Sequence, residues 1–240
     1  MKDVTDLHTH TIASGHAYNT INEMIAAAAN QGVEILGLTE HAPSMPGSCS
    51  SMYFMNLRVL PREKMGITVF YGVELNILDF EGNIDLPDQT LKEMDLVIAS
   101  MHPPCMPFGS AKDITRAYLN TMKNPYVNII GHPDDKRYPI DYPELVKGAK
   151  ENHVILEMNN TSLGPTSFRG NPVDIYKKML DLCEKYQVPV AVNSDAHVDI
   201  DVGNHDFAMK IVEEVQFPEE LLVNANPDIL KNYINFYRFA

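Results

Sequence analysis

Val4-Thr5-Asp6-Leu7-His8-Thr9-His10-Thr11 opens the chain with a short apolar, β-branched run that ends in two histidines two positions apart. Side chains alternate along a strand, so His8 and His10 project to one face, and Asp6 shares their parity. The same pattern of an apolar run ending in a metal-binding side chain recurs along the chain. Ile35 to Thr39 leads to His41, Ile67 to Val73 to Glu74, Leu96 to Ser100 to His102, Val127 to Ile130 to His132, and Val188 to Val192 to Asp195 and His197. A seventh run, Val154 to Met158, has no such group at its end. Between the runs lie helix-periodic stretches at about 20–31, 111–123, 141–151 and 171–187, with two more after the last run at about 206–215 and 227–237. Strand-then-helix alternation predicts βα units on a parallel sheet. Donors spread over six strand ends need a closed ring with one rim, whereas an open doubly wound sheet collects ligands only near its switch point. The expected fold is α/β, a distorted seven-stranded (β/α)7 TIM-like barrel forming a single domain over residues 1–240.

Composition narrows the function. The net charge of -13, without any basic block, repels a polyanion and argues against stable nucleic-acid binding, while leaving room for a small phosphorylated substrate at a local cationic pocket. Cys49, Cys105 and Cys183 are odd in number and lack Cys-x-x-Cys spacing, so neither a disulfide framework nor a thiolate metal site is expected. The thirteen methionines read as core filler. The first motif begins too early to leave room for a signal peptide, and no apolar stretch approaches the ~18 residues of a membrane span. A cytoplasmic, non-membrane protein is the expectation, and because small barrels often associate, a homo-oligomer is compatible with it.

Imidazole and carboxylate are the side chains that hold zinc, manganese and iron. Seven of the nine histidines, His8, His10, His16, His41, His102, His132 and His197, join Glu74 and Asp195 at or just beyond strand ends. Nine donors suffice for three divalent ions rather than one, zinc first, with manganese or iron as alternatives. His153 and His205 lack partners at the right places and read as surface or capping residues.

In these motifs the chain resembles the PHP (polymerase and histidinol phosphatase) family of metal-dependent phosphoesterases, and most of all its small stand-alone phosphatases of the YcdX type. The resemblance covers the whole chain. It rests on Asp6-Leu7-His8-Thr9-His10-Thr11, Leu38-Thr39-Glu40-His41, Gly72-Val73-Glu74, Ser100-Met101-His102, Gly131-His132-Pro133 and Asn193-Ser194-Asp195-Ala196-His197. It implies three metal sites: one of His8, His10, Glu74 and Asp195, a second of Glu74, His102 and His132, and a third of His16, His41 and His197. Chemistry agrees, because a carboxylate has two oxygens to share between ions and a neutral imidazole has one free lone pair, which makes Glu74 the natural bridge. The implied activity is a phosphatase that hydrolyses small phosphomonoesters with hydroxide activated at the trinuclear centre. Glu74, Asp195 and His197 would serve catalysis, with Asp6 orienting an imidazole or moving a proton.

Arg169, in the loop after the run that carries no donor, is the leading candidate to grip phosphate in a bidentate fork; Arg58 and Arg137 are the others. Glu40 would face the other way from His41 on a strand, which leaves an ion-pairing or helix-capping role open beside a catalytic one. The long Pro-, Ser- and Met-rich segment 42–64 reads as a lid, with Met52, Tyr53, Phe54 and Met55 folded inward. Two other functions share much of this pattern: an amidohydrolase-like C–N hydrolase, for which a strand-end lysine is missing, and a nuclease or accessory PHP domain.

Overall fold

The apolar runs pair in chain order. In the computed structural model, which describes residues 1–239, the strands are β1 (Thr5–Thr9), β2 (Ile35–His41), β3 (Glu63–Lys64), β4 (Ile67–Asn76), β5 (Leu96–Ser100), β6 (Ile129–Ile130), β7 (Ile155–Asn159) and β8 (Val190–Asn193). Seven of them form one parallel sheet in the order β1-β2-β4-β5-β6-β7-β8, and the two-residue β3 folds back antiparallel on β4. The connecting helices are α1 (Ile21–Gln31), α2 (Ser51–Asn56), α3 (Asp88–Leu91), α4 (Ala111–Thr121), α5 (Tyr142–Asn152), α6 (Val173–Tyr186), α7 (Asp206–Glu214), α8 (Leu230–Tyr233) and α9 (Asn235–Arg238). Local sequence sets their ends. Thr20 and Glu23 close a capping box at the start of α1, Gly32 ends it in the left-handed region, and Ser110 and Asp141 cap α4 and α5. No helix among the described residues is long and apolar enough to cross a membrane.

Alternation along the strands produces two apolar layers. Leu7, Phe70, Leu96, Ile98, Ile129 and Ile155 form an inner cluster, whose floor is supplied by Val223, Leu230 and Ile234 from the C-terminal segment. Leu36, Val69, Val97 and Leu156 point the other way, into a larger cluster with α1 and α4–α6. Ring closure is incomplete. Between the last and first strands the ladder is reduced to the Thr9–Ala196 bridge just beyond β8 and a bond from Leu7 N to Asn193 Oδ1 at 2.9 Å, and residues 222–224 occupy the rest of the seam. There the Asn224 amide bonds Val192 N, Val192 O and Thr5 O at 2.8–2.9 Å, standing in for a ladder. The barrel is thus nearly closed, with seven parallel strands.

Three expectations change. In β1 the register jumps from Asp6–Leu36 to Thr9–Leu38, so one extra residue is inserted and the parity of Asp6 is uncoupled from that of His8 and His10. Segment 42–64 contains α2, and helical periodicity splits its apolar residues: Phe54 is buried, whereas Met52 and Met55 are 74% and 57% exposed. The stretch 227–237 is broken at Ile234, whose extended backbone lets its side chain enter the inner cluster.

Candidate metal centre

Every strand-end donor meets its fellows at the C-terminal rim. Glu74, fully buried at the end of β4, stands in the middle. Its Oε1 lies 2.9 Å from His132 Nε2, 3.2 Å from His102 Nε2 and 3.3 Å from His8 Nε2. Its Oε2 lies 2.6 Å from His41 Nδ1 and 3.6 Å from His10 Nε2. Asp195 Oδ1 faces the same space, 3.2 Å from His10 Nε2 and 3.6 Å from His8 Nε2. At the outer edge His16 and His197 bring their Nε2 atoms to 3.2 Å. Two donors on one tetrahedral ion with ~2.0–2.1 Å bonds sit ~3.3 Å apart, which is the spacing seen here.

Directionality supports the same reading. His8 Nε2, His10 Nε2, His41 Nδ1, His102 Nε2 and Glu74 Oε2 are buried yet make no well-directed hydrogen bond, although oxygen or nitrogen lies close by. Such groups are costly to bury unless something else satisfies them, and a shared cation does so. Three overlapping donor groups can be drawn: His8, His10 and Glu74; His41, Glu74 and His102; and His10, His41 and His197.

The electrostatics are those of mutual dependence. Burial alone would raise the Glu74 carboxyl, but His102, His8 and His41 outweigh it and hold it well below the usual carboxylate range. Asp195 is likewise held low against its burial, by His8, His10 and Arg169. Burial and the neighbouring His41 and His197 push His10 well below the ordinary histidine value, which keeps a lone pair available. Burial also lowers His102, to about 4. The backbone is special at two donors: His132 has φ +26° and Asp195 φ +55°. Sparsely populated backbone of this kind tends to collect at functional sites. Gly131 helps place His132, since a Cβ there would lie 2.1 Å from Ser100 Oγ.

Behind the donors stands a layer of buried polar groups that the sequence pattern did not single out. Glu157 on β7, the strand without a donor of its own, takes His8 Nδ1 at 2.7 Å, the His132 amide at 2.6 Å and Asn193 Nδ2 at 2.8 Å. A carboxylate only accepts, so His8 carries its proton on Nδ1 and turns Nε2 to the centre. Asn76 does the same for His102 Nδ1 at 2.8 Å, its own amide fixed by Asp85. The signal was available: Glu157 is a charged residue inside an otherwise apolar run, and Asn159 follows directly on it.

The remaining candidates separate. Arg169, its side chain 10% exposed, bonds Asp195 Oδ2 at 3.1 Å, Ser162 Oγ at 3.1 Å and Asn159 Oδ1 at 3.3 Å. It borders a cavity of about 590 Å³ whose floor includes His16, His41, His102 and His197. Arg137 borders that cavity too, but its guanidinium is engaged by Asp135 and lies 4.9 Å over the Phe168 ring. Arg58 is elsewhere: it is exposed beside a second cavity lined by α2 and Lys92. Asp6 is also turned away by the β1 irregularity. Its carboxylate takes Ser194 N, Ser194 Oγ and Gly203 N and faces His205 Nε2 at 3.7 Å, so it supports the loop carrying Asp195 rather than an imidazole of the centre. His205 is buried against Asp3 rather than exposed.

An α/β barrel with a rim of histidines and carboxylates able to hold metal defines the class. The PHP domain family model matches residues 6–163, and the chain belongs to that family. Among its relatives, proteins named "Probable phosphatase" in Caldicellulosiruptor saccharolyticus and Clostridium novyi are 47% and 44% identical over 97% and 98% of this chain, each aligned over 95% of its own length. Among solved structures, histidinol phosphate phosphatase from Lactococcus lactis, complexed with zinc, L-histidinol and phosphate, matches with TM-score 0.65 at 18% identity, over 90% of this chain and 95% of its own. That last likeness establishes the shared fold.

Proposed function

We propose that this PHP-family protein is a metal-dependent phosphatase, a phosphoric monoester hydrolase acting on small phosphomonoesters at a centre of three divalent ions. The observation that carries it is the convergence of Glu74, Asp195 and seven imidazoles on one rim, with buried ring nitrogens left without directed partners. The names of the relatives support the phosphatase reading. His8, His10, Glu74 and Asp195 would hold one ion, Glu74 with His102 and His132 another, and His16, His41 and His197 a third, zinc being the first choice. Ions there would lower the pKa of water and neutralise charge developing on the phosphoryl oxygens.

The chain supplies positioning. Arg169 is anchored through Nη1 to Asn159 and Ser162 and through Nη2 to Asp195. A guanidinium has five N–H donors, so two remain for phosphate oxygens at the cavity floor. Asp195, shared between the imidazoles and Arg169, would tie phosphate binding to the ions. Above that floor the wall turns apolar at Met45, Met101, Pro103, Pro104 and Phe168, with volume beyond what phosphate fills, and the leaving group would lodge there.

Treatment with EDTA should abolish turnover of p-nitrophenyl phosphate, and zinc or manganese should restore it. A fully metallated preparation inert toward p-nitrophenyl phosphate and a panel of phosphometabolites would overturn the proposal.

A further inference from the structure

His10 reaches the centre through Nε2, and the hydrogen-bond chain behind its ring leaves only one tautomer. Its Nδ1 lies 3.0 Å from Ser14 Oγ. Ser14 Oγ is also 3.0 Å from the amide nitrogen of His41 and 2.6 Å from Glu40 Oε2. The amide can only donate, so it takes one lone pair of the hydroxyl. Glu40 already accepts the Thr11 amide at 3.0 Å and the Thr11 hydroxyl at 2.5 Å, one on each oxygen, so the short contact from Ser14 is its hydroxyl proton donated to a carboxylate. Ser14 then has one lone pair left and no proton to give. His10 must supply the hydrogen from Nδ1, which leaves Nε2 as the lone-pair atom.

The three donors to Glu40 come from one short turn. Thr11 caps the 3-10 turn Ile12–Ser14, and Gly15 closes it with φ +82°, where a Cβ would strike Gly47 O at 2.1 Å. Glu40 is 1% exposed and lies behind His10, away from the cavity. It thereby fastens the turn after β1 to the end of β2. His8 and His102 obtain their orientation directly, from Glu157 and Asn76, whereas His10 obtains it through a relay.

We infer that Glu40, acting through Ser14, is a positioning residue that holds the His10 proton on Nδ1, against the pull of the Asp195 carboxylate 3.2 Å from Nε2, and keeps the Nε2 lone pair turned into the space between Glu74 and Asp195. What Nε2 then ligates rests on the metal-dependent reading above; the tautomer belongs to the chain without metal.

The test begins with the wild-type protein. Long-range 1H–15N spectra of metal-free, histidine-labelled protein should show neutral His10 protonated at Nδ1; protonation at Nε2 overturns the relay. Ser14→Ala should release that preference and weaken zinc binding about 10- to 100-fold in chelator competition, the usual cost of losing an outer hydrogen-bond partner. Ser14→Thr keeps the hydroxyl and should restore both properties. A Ser14→Ala protein with unchanged zinc affinity and His10 still protonated at Nδ1 also overturns the inference. If the wild type shows the expected tautomer but binds no zinc, the relay stands and the metal-dependent reading falls.

Discussion

Glu74 brings two oxygens within 3.6 Å of five imidazole nitrogens, so no other single side chain is asked to do as much. In Glu74→Gln one oxygen becomes an amide that cannot ligate and the negative charge disappears. More than one ion should be lost together, and elemental analysis of the purified variant reads this directly; normal metal content would remove the bridging role. Glu157→Gln tests the layer behind. Its amide would meet N–H groups of His8, His132 or Asn193 that now donate to a carboxylate, leaving at least one buried donor unpaired. Stability should fall by about 1–3 kcal/mol in urea unfolding, and an unchanged midpoint would contradict that account. These two residues also show what a sequence reveals. Glu74 was legible because a carboxylate closing an apolar run has few structural reasons to be there. Glu157 was passed over because it lies within its run, and Asp6 was misplaced because an inserted residue in a strand leaves no mark in composition.

At the scale of elements, the seam between the last and first strands is the weak joint of the ring. The Asn224 amide bonds backbone groups of Val192 and Thr5 and the carboxylate of Asp3. Asn224→Ala should therefore cost about 2–3 kcal/mol, because several buried backbone groups lose a partner at once; a change within the error of urea unfolding would show that the strands close without it. Beside it, His205 at the start of α7 pairs with Asp3 and faces Asp6. Burial lowers its pKa, but the two aspartates prevail and raise it to about 10. A raised folded-state value means that the contribution to stability is complete below the unfolded value of ~6.5 and is lost as pH climbs toward 10. Between pH 7 and pH 9.5 the wild type should lose unfolding free energy relative to His205→Gln, and parallel pH profiles would rule the pair out as a source of stability. The strands themselves were legible from β-branched runs. The break at Ile234 was not, because what interrupts that helix is the space under the barrel, which only the assembled ring creates.

For the molecule as a whole, folding gathers buried carboxylates and imidazoles into a centre able to hold cations. Glu74 and Asp195 are 0% and 5% exposed, and ring nitrogens of His8, His10 and His102 are buried without directed partners. The unfolded chain has no such gathering, since its donors are scattered from position 8 to position 197. Divalent ions should therefore bind the native state far more tightly than the unfolded one and stabilise it by mass action. At a free concentration of 100 times Kd a single site contributes ~2.7 kcal/mol, and for a domain of this size each kcal/mol moves Tm by roughly 2–4 °C. Dialysis against EDTA should lower Tm by at least about 5 °C. Zinc returned in steps should raise it again in a concentration-dependent way, and Glu74→Gln should blunt that response. Calorimetry of the three samples reads the effect without any substrate. A wild-type Tm indifferent to both chelator and zinc would mean that the rim is satisfied by its own side chains, and that the geometry around Glu74 is a buried polar network rather than a place for ions.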